Sequence, residues 1–281
     1  MKRIVTMAAV ALIAASAAQA QFGDILRKLD PSKIKKAVKV GSAATHEFTE
    51  TEEVDIGRIV AARILATFPL SKGDKLQRYI TLVGSTVATY STRPTLDWHF
   101  AVLESPIVNA FSTPGGYVFV TTGALDQMKS EAELAAVLGH EIAHTTQKHI
   151  LKEIKRGNVL AAGADLAASA SGSSFLNDDM ARKISDMAYQ KLVTTGLGRE
   201  DELEADKVGD EFAASAGYRP SAAITFLETL KAAEGKGESS MKQFTATHPP
   251  AGDRIKALEK SLPKSDAGEL LAERWETWTK G

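Results

Sequence analysis

Cysteine is missing from all 281 residues. Its absence excludes disulfides, thiolate metal sites and a lipid-modified cysteine after an export signal. An excess of one charge is missing too: 34 basic residues face 35 acidic ones, so the whole chain offers no electrostatic attraction for nucleic acid. Past the first twenty residues no segment is long and apolar enough to cross a bilayer, which predicts no transmembrane segment in the mature chain. Composition is otherwise that of a globular protein with enough chain for a full core.

The amino terminus differs from the rest. Lys2 and Arg3 precede an apolar stretch from Ile4 to Ala18, and Ala18-Gln19-Ala20 has the small-x-small pattern of a processing site. Residues 1–20 therefore read as a cleaved signal peptide, which predicts export to the periplasm, not as a lipoprotein. Its loss leaves 32 basic against 35 acidic residues, a net charge of −3. Residues 21–50 read as a lead-in segment. Its lysines Lys33, Lys35, Lys36 and Lys39 are interrupted by Pro31, Gly41 and Ser42, which suits a solvated face or flexible stretch.

Apolar spacing predicts helices from Glu52 to Phe68 and from Lys72 to Tyr90, the second after Ser71 as N-cap. Short β-branched and aromatic runs then predict strands at Trp98 to Leu103, Ile107 to Phe111 and Tyr117 to Thr121, with turns at Ser105-Pro106 and Pro114-Gly115-Gly116. Ser130 with Glu133 forms a capping-box signature ahead of Leu134, Val137, Leu138 and Ile142 at helical spacing. Further helices are predicted at Asp179 to Val193, Arg199 to Ala216, Ser221 to Ala233 and Ala251 to Leu262. A loop rich in small residues, Ala161 to Ser174, is either a lid or a passive connection. The fold class is α+β, mainly helical, with a small sheet beside one central helix.

That central helix carries His140-Glu141-Ile142-Ala143-His144. Histidines four apart on a helix face can hold one zinc ion, with the intervening glutamate as general base, and such a site needs a third protein ligand. A histidine six residues after His144 would supply one, but that position is Ile150. His149 stands five residues on, rotated roughly 140° from the ligand face of a continuous helix, and reads as a surface or packing residue. His46 and His99 also read as structural. The remaining source is the acidic run Glu200, Asp201, Glu202, Glu204 and Asp206. A ligand glutamate with an aspartate four residues on would put one carboxylate on the metal and the next on a ligand histidine's ring N–H, and Glu202 with Asp206 fits that spacing.

These motifs, followed by Thr247-His248-Pro249-Pro250 with Arg254, resemble the zinc metallopeptidase family of the CAAX prenyl endopeptidases and HtpX-like proteases. The segment Asn109-Ala110-Phe111 to Thr121-Thr122-Gly123 resembles that family's pattern ahead of its zinc helix. The likeness runs from about residue 50 to 260, and the exported BepA-like members are nearest in layout, although their tetratricopeptide repeats are absent. Gly198 stands where the family often has serine.

The resemblance implies a zincin-type metallopeptidase domain over 51–262, with 263–281 as a C-terminal tail. It implies one Zn2+ held by His140, His144 and Glu202, Glu141 as general base and acid, and Asp206 supporting a ligand histidine. His248 would lie near the metal, holding the enzyme off or assisting the transition state, with Arg254 orienting this loop or the substrate. The strand at Asn109 to Phe111 would be an edge for an extended peptide, and Tyr117 to Val120 would help form the cleft. Implied substrates are unfolded or misassembled envelope proteins, outer-membrane proteins among them. The alternative is a zinc-stabilised chaperone or assembly adaptor with a closed site.

Overall fold

The computed structural model describes residues 47–156, 178–262 and 266–279. The expected signal peptide, the lead-in up to residue 46 and the stretch Ala161 to Ser174 expected as a loop lie outside the described residues. Helix α1 (Glu50–Thr67) starts from a full capping box: the Thr49 hydroxyl accepts from the Glu52 amide, and the Glu52 carboxylate accepts from the Thr49 amide. Two of the first orphan amides of the helix are thereby satisfied. Helix α2 (Asp74–Thr89) follows, beginning after Gly73 instead of Ser71.

Three strands come next, β1 (His99–Leu103), β2 (Ala110–Thr113) and β3 (Tyr117–Thr121), in the order β1-β3-β2. β3 pairs parallel with β1 and antiparallel with β2. Successive side chains on a strand point to opposite faces, and here both faces are covered. Phe100, Val102, Val118 and Val120 enter a core shared with α2 and the later helices, while Ala101, Leu103, Tyr117 and Phe119 enter a second core with α1. This explains apolar runs in place of simple alternation.

The outer edge of β1 is closed. The Gln77 side chain donates to the Phe100 carbonyl at 2.6 Å and accepts from the Val102 amide at 3.0 Å. Leu70 adds an isolated bridge to Leu103. β2 forms the opposite edge of the sheet.

A short helix α3 (Thr122–Leu125) leads to α4 (Glu131–Thr146), where the Ser130 hydroxyl accepts from the Glu133 amide. The Glu133 carboxylate turns to the Lys129 amide, so the cap is only half a capping box. Leu134, Leu138 and Ile142 are fully buried. Then come α5 (His149–Arg156), α6 (Asp178–Gln190) with a π-helical turn Lys191–Thr195, α7 (Arg199–Ser215), α8 (Ala222–Lys236), α9 (Lys242–Thr247) and α10 (Ala251–Ser261).

Beyond the last helix read from sequence there is one more, α11 (Ala272–Thr279). Trp275 is buried and donates to the Met128 carbonyl. Trp278 stacks on Tyr79 with ring centroids 5.2 Å apart. Arg274 pairs with the buried Glu131, which also accepts from the hydroxyls of Tyr79 and Tyr218. The end of the chain is thus tied to the start of α4.

Candidate metal centre

Among the described residues helices α4 and α7 form the most extensive helix pair, and two glycines set how near they come. A β-carbon on Gly139 would lie 2.4 Å from the Gly209 carbonyl oxygen, and one on Gly209 would lie 2.4 Å from the His140 amide nitrogen. Only hydrogen fits at either position, so backbone meets backbone. This close crossing brings the side chains of the two helices onto one centre.

The Nε2 atoms of His140 and His144 lie 2.9 Å apart. Glu202 of α7 approaches with Oε2 at 3.7 Å from the His140 Nε2 and Oε1 at 3.5 Å from the His144 Nε2. All three residues are buried. Sequence spacing proposed this triad, and the fold assembles it.

Its electrostatics fit a bound cation. Burial pushes the Glu202 carboxyl up to about 7, against the pull of His140 and Arg254, and Oε2 has no hydrogen-bond partner. Burial, with the charges of His140 and His149, holds His144 well below the usual histidine range. Two imidazole nitrogens in contact and an unpartnered carboxylate oxygen are costly to bury together unless a proton or a metal cation joins them.

Behind the two candidate ligand histidines lie groups that fix their rings. His140 Nδ1 is 2.9 Å from Asp206 Oδ1, so its N–H faces the carboxylate and the Nε2 lone pair is left for metal. Asp206 is gripped in turn by Arg254, through Nε at 2.8 Å and NH2 at 2.5 Å. Burial alone would raise Asp206, but Arg254 and His140 outweigh it and hold the carboxyl well below the usual range. Arg254 is buried in α10. It thereby ties the loop carrying His248 to α7.

His144 has a different support. Its Nδ1 is 2.7 Å from Nδ1 of His149, whose Nε2 is 3.2 Å from Glu204 and 3.8 Å from Asp201. With metal on His144 Nε2, the remaining N–H donates to His149, and His149 donates onward to Glu204. The premise of a continuous helix here does not hold: α4 ends at Thr146, Lys148 takes φ of 59°, and α5 starts at His149. His149 is still a packing residue, fully buried, but it packs against a ligand. Asp201, Glu204 and His149 could also group around an ion, yet Arg156 and Lys152 already face Asp201 and Glu204.

Glu141 points into the same space. One of its carboxylate oxygens lies within 4.8 Å of ring nitrogens of His140 and His248. Burial raises its pKa, while His140, the Ser112 hydroxyl and Arg254 pull the other way. His248 follows α9, stacks on Phe244 with centroids 4.6 Å apart, and places Nε2 3.9 Å from Glu202 Oε2. Burial and the charge of Arg254 keep its ring well below the usual histidine range, hence neutral.

Around these residues lies a cleft. On one side of Glu141 it is lined by Asn109, Ala110, Val137, Phe244 and Asp210, and on the other by Phe111, Leu192, Leu197 and Thr247. β2 borders both. Tyr117 to Val120 line neither side, because β3 is the buried centre of the sheet. Sequence reading missed His149 with Glu204 as a support, the glycine crossing, and Asp210. Only the glycines carried a local signal, one of them directly before the HExxH run.

A mainly helical domain with an HExxH helix, a glutamate from a second helix and an edge strand beside them has the form of a zincin-type metallopeptidase. Residues 74–262 match the profile of peptidase family M48, and the chain belongs to that family. Over 201 residues it is 32% identical to the mitochondrial metalloendopeptidase OMA1 of Schizosaccharomyces pombe, covering 71% of this chain and 57% of that protein. It is 26% identical over 223 residues to the β-barrel assembly-enhancing protease of Escherichia coli K12, covering 77% and 45%. The chain spans about half the length of these two relatives.

Proposed function

We propose that this chain is an exported zinc-dependent endopeptidase acting on misfolded or stalled proteins of the cell envelope. The observation that carries the reading is the convergence of His140, His144 and Glu202 on one centre with Glu141 beside it. Bound there, zinc would polarise a peptide carbonyl and make water more acidic. Glu141 accepts a proton from the attacking water and delivers it to the leaving amine nitrogen, so no covalent acyl intermediate is required. Asp206 and His149 keep the ligand imidazoles in the tautomer that leaves Nε2 free. The edge of β2 can take an extended peptide through main-chain hydrogen bonds, which favours unfolded substrates.

The periplasmic assignment is supported by the signal-like residues 1–20, and the substrate class by the name of the β-barrel assembly-enhancing relative. No helix among the described residues is long and apolar enough to cross a membrane. The test is to incubate the zinc-loaded chain with unfolded β-barrel protein, with the same protein folded, and with casein. Cleavage of the unfolded forms alone is expected. Equal cleavage of the folded barrel would contradict the choice of substrate.

A second reading has its own observation. His248 reaches the ligand cluster with only 11% of its side chain exposed, a position from which it could cap the metal and leave the chain as a closed chaperone or adaptor. His248→Ala separates the readings. Faster cleavage marks His248 as an inhibitor, and slower cleavage marks it as assisting the reaction. Unchanged zinc affinity and unchanged cleavage would leave it with neither role.

A further inference from the structure

The cleft on the α8 side of Glu141 is lined in part by a carboxylate that has no side-chain partner among the described residues. Asp210 of α7 is 6% exposed, and among the described residues it takes part in no side-chain hydrogen bond and no ion pair. It lines the same pocket as His140, Glu141 and His248. The apolar part of the pocket lining includes Ala136, Val137, Ala223 and Leu227, which offer no hydrogen-bonding side chain. Charged groups near Asp210 are of its own sign, namely Asp206, Glu211 and Asp266, and with burial they push its carboxyl up to about 7. Arg254 does not relieve it, because Asp206 engages that guanidinium through two hydrogen bonds.

We propose that this pocket is a specificity subsite for a lysine or arginine side chain next to the scissile bond, with Asp210 as its counter-charge. Apolar walls leading to one buried carboxylate suit an aliphatic stem that ends in a cation. Asp210 lies two helical turns beyond Glu202 on α7, about 12 Å along the axis at 1.5 Å per residue. A separation of that order favours a long side chain over a short one. Lysine and arginine, anchored at a residue beside the reacting carbonyl, extend toward it. The incoming cation would supply the positive charge that Asp210 lacks, which an apolar side chain of equal length cannot do.

The inference rests on the peptidase reading, so the experiment keeps the two apart. A set of acetylated peptides, identical except for arginine, lysine, norleucine or glutamate at each position flanking the bond, is digested by the zinc-loaded chain and mapped by mass spectrometry. Arginine and lysine peptides are expected to exceed norleucine in kcat/KM by about tenfold or more. In Asp210→Asn that ratio collapses toward one, and in Asp210→Lys preference moves to glutamate. Binding of the same peptides to Glu141→Gln, followed by fluorescence anisotropy, reads the discrimination without turnover. If norleucine is cleaved or bound as well as arginine, or if Asp210→Asn keeps the basic preference, the subsite assignment is wrong while the peptidase reading stands. If nothing is cleaved but Glu141→Gln still binds basic peptides in an Asp210-dependent way, the peptidase reading fails and the subsite remains.

Discussion

His149 Nδ1 lies 2.7 Å from His144 Nδ1, and both rings are buried. A candidate ligand histidine is therefore held by another histidine, which passes the contact to Glu204. Groups of this kind typically influence metal affinity by 10- to 100-fold. His149→Ala should lower zinc affinity by about tenfold or more, measured by chelator competition, and Glu204→Gln should lower it less because Glu204 is partly solvated. An unchanged affinity in His149→Ala would show that the ring only fills space.

Gly209→Ala tests the close crossing of α4 and α7. Its added methyl would meet the His140 amide, so the helices must part or strain, a change that costs roughly 1 to 3 kcal/mol. Zinc affinity should fall in parallel, because Glu202 and the histidines sit on opposite sides of that contact. Gly235→Ala is the control, with nothing within 4 Å of the added carbon, and should stabilise α8 by about 0.5 to 1 kcal/mol. Urea denaturation of both variants checks the pair, and equal effects would refute the steric account.

Arg254→Leu removes the partner of a buried carboxylate. Breaking a buried pair from one side typically costs about 3 to 5 kcal/mol. The expected result is a loss of that order together with weaker zinc binding, since Asp206 no longer has a fixed position against His140. Thermal unfolding of the metal-free protein reads the first effect and chelator competition the second. A variant as stable as the parent would mean that water replaces the guanidinium.

Asp210 should make stability depend on pH. Its carboxyl is raised from 3.8 to about 7, so between those values the folded chain holds a proton that the unfolded chain releases. Stability is thus lost as pH rises through this window and levels off above it. The loss is at most about 4 kcal/mol for a shift of this size. Asp210→Asn removes the share of the dependence that Asp210 contributes: its melting temperature should match the parent near pH 4 and exceed it at pH 8. A constant difference across that range would mean that Asp210 is paired in solution.

Much of the site was legible because its chemistry is local in sequence. His140, Glu141 and His144 sit at helical spacing, and Glu202 with Asp206 repeats that spacing on another helix. What escaped depends on contacts between distant segments. Asp210 is one carboxylate among many on α7, and nothing in the neighbouring residues tells that it lines a pocket. His149 could not be placed while α4 was taken to run on through Lys148. Strand β2 begins at Ala110 instead of Ile107 because the preceding backbone is used elsewhere: the Val108 amide donates to the Ser240 carbonyl, and the Ile107 carbonyl accepts from the Thr121 hydroxyl. Helix α11 was missed because its ties to the domain, Arg274 to Glu131, Trp275 to Met128 and Trp278 to Tyr79, join residues far apart in sequence.

On the proposed reading, His140, His144 and Glu202 hold one zinc ion for which Glu141 acts as base. The most direct measurement is zinc content paired with casein cleavage in the parent, Glu202→Ala and Glu141→Gln. The expected result is one zinc per parent chain, loss of zinc and cleavage together in Glu202→Ala, and full zinc with cleavage reduced about 10²- to 10⁴-fold in Glu141→Gln. Full zinc in Glu202→Ala, or undiminished cleavage in Glu141→Gln, would contradict it.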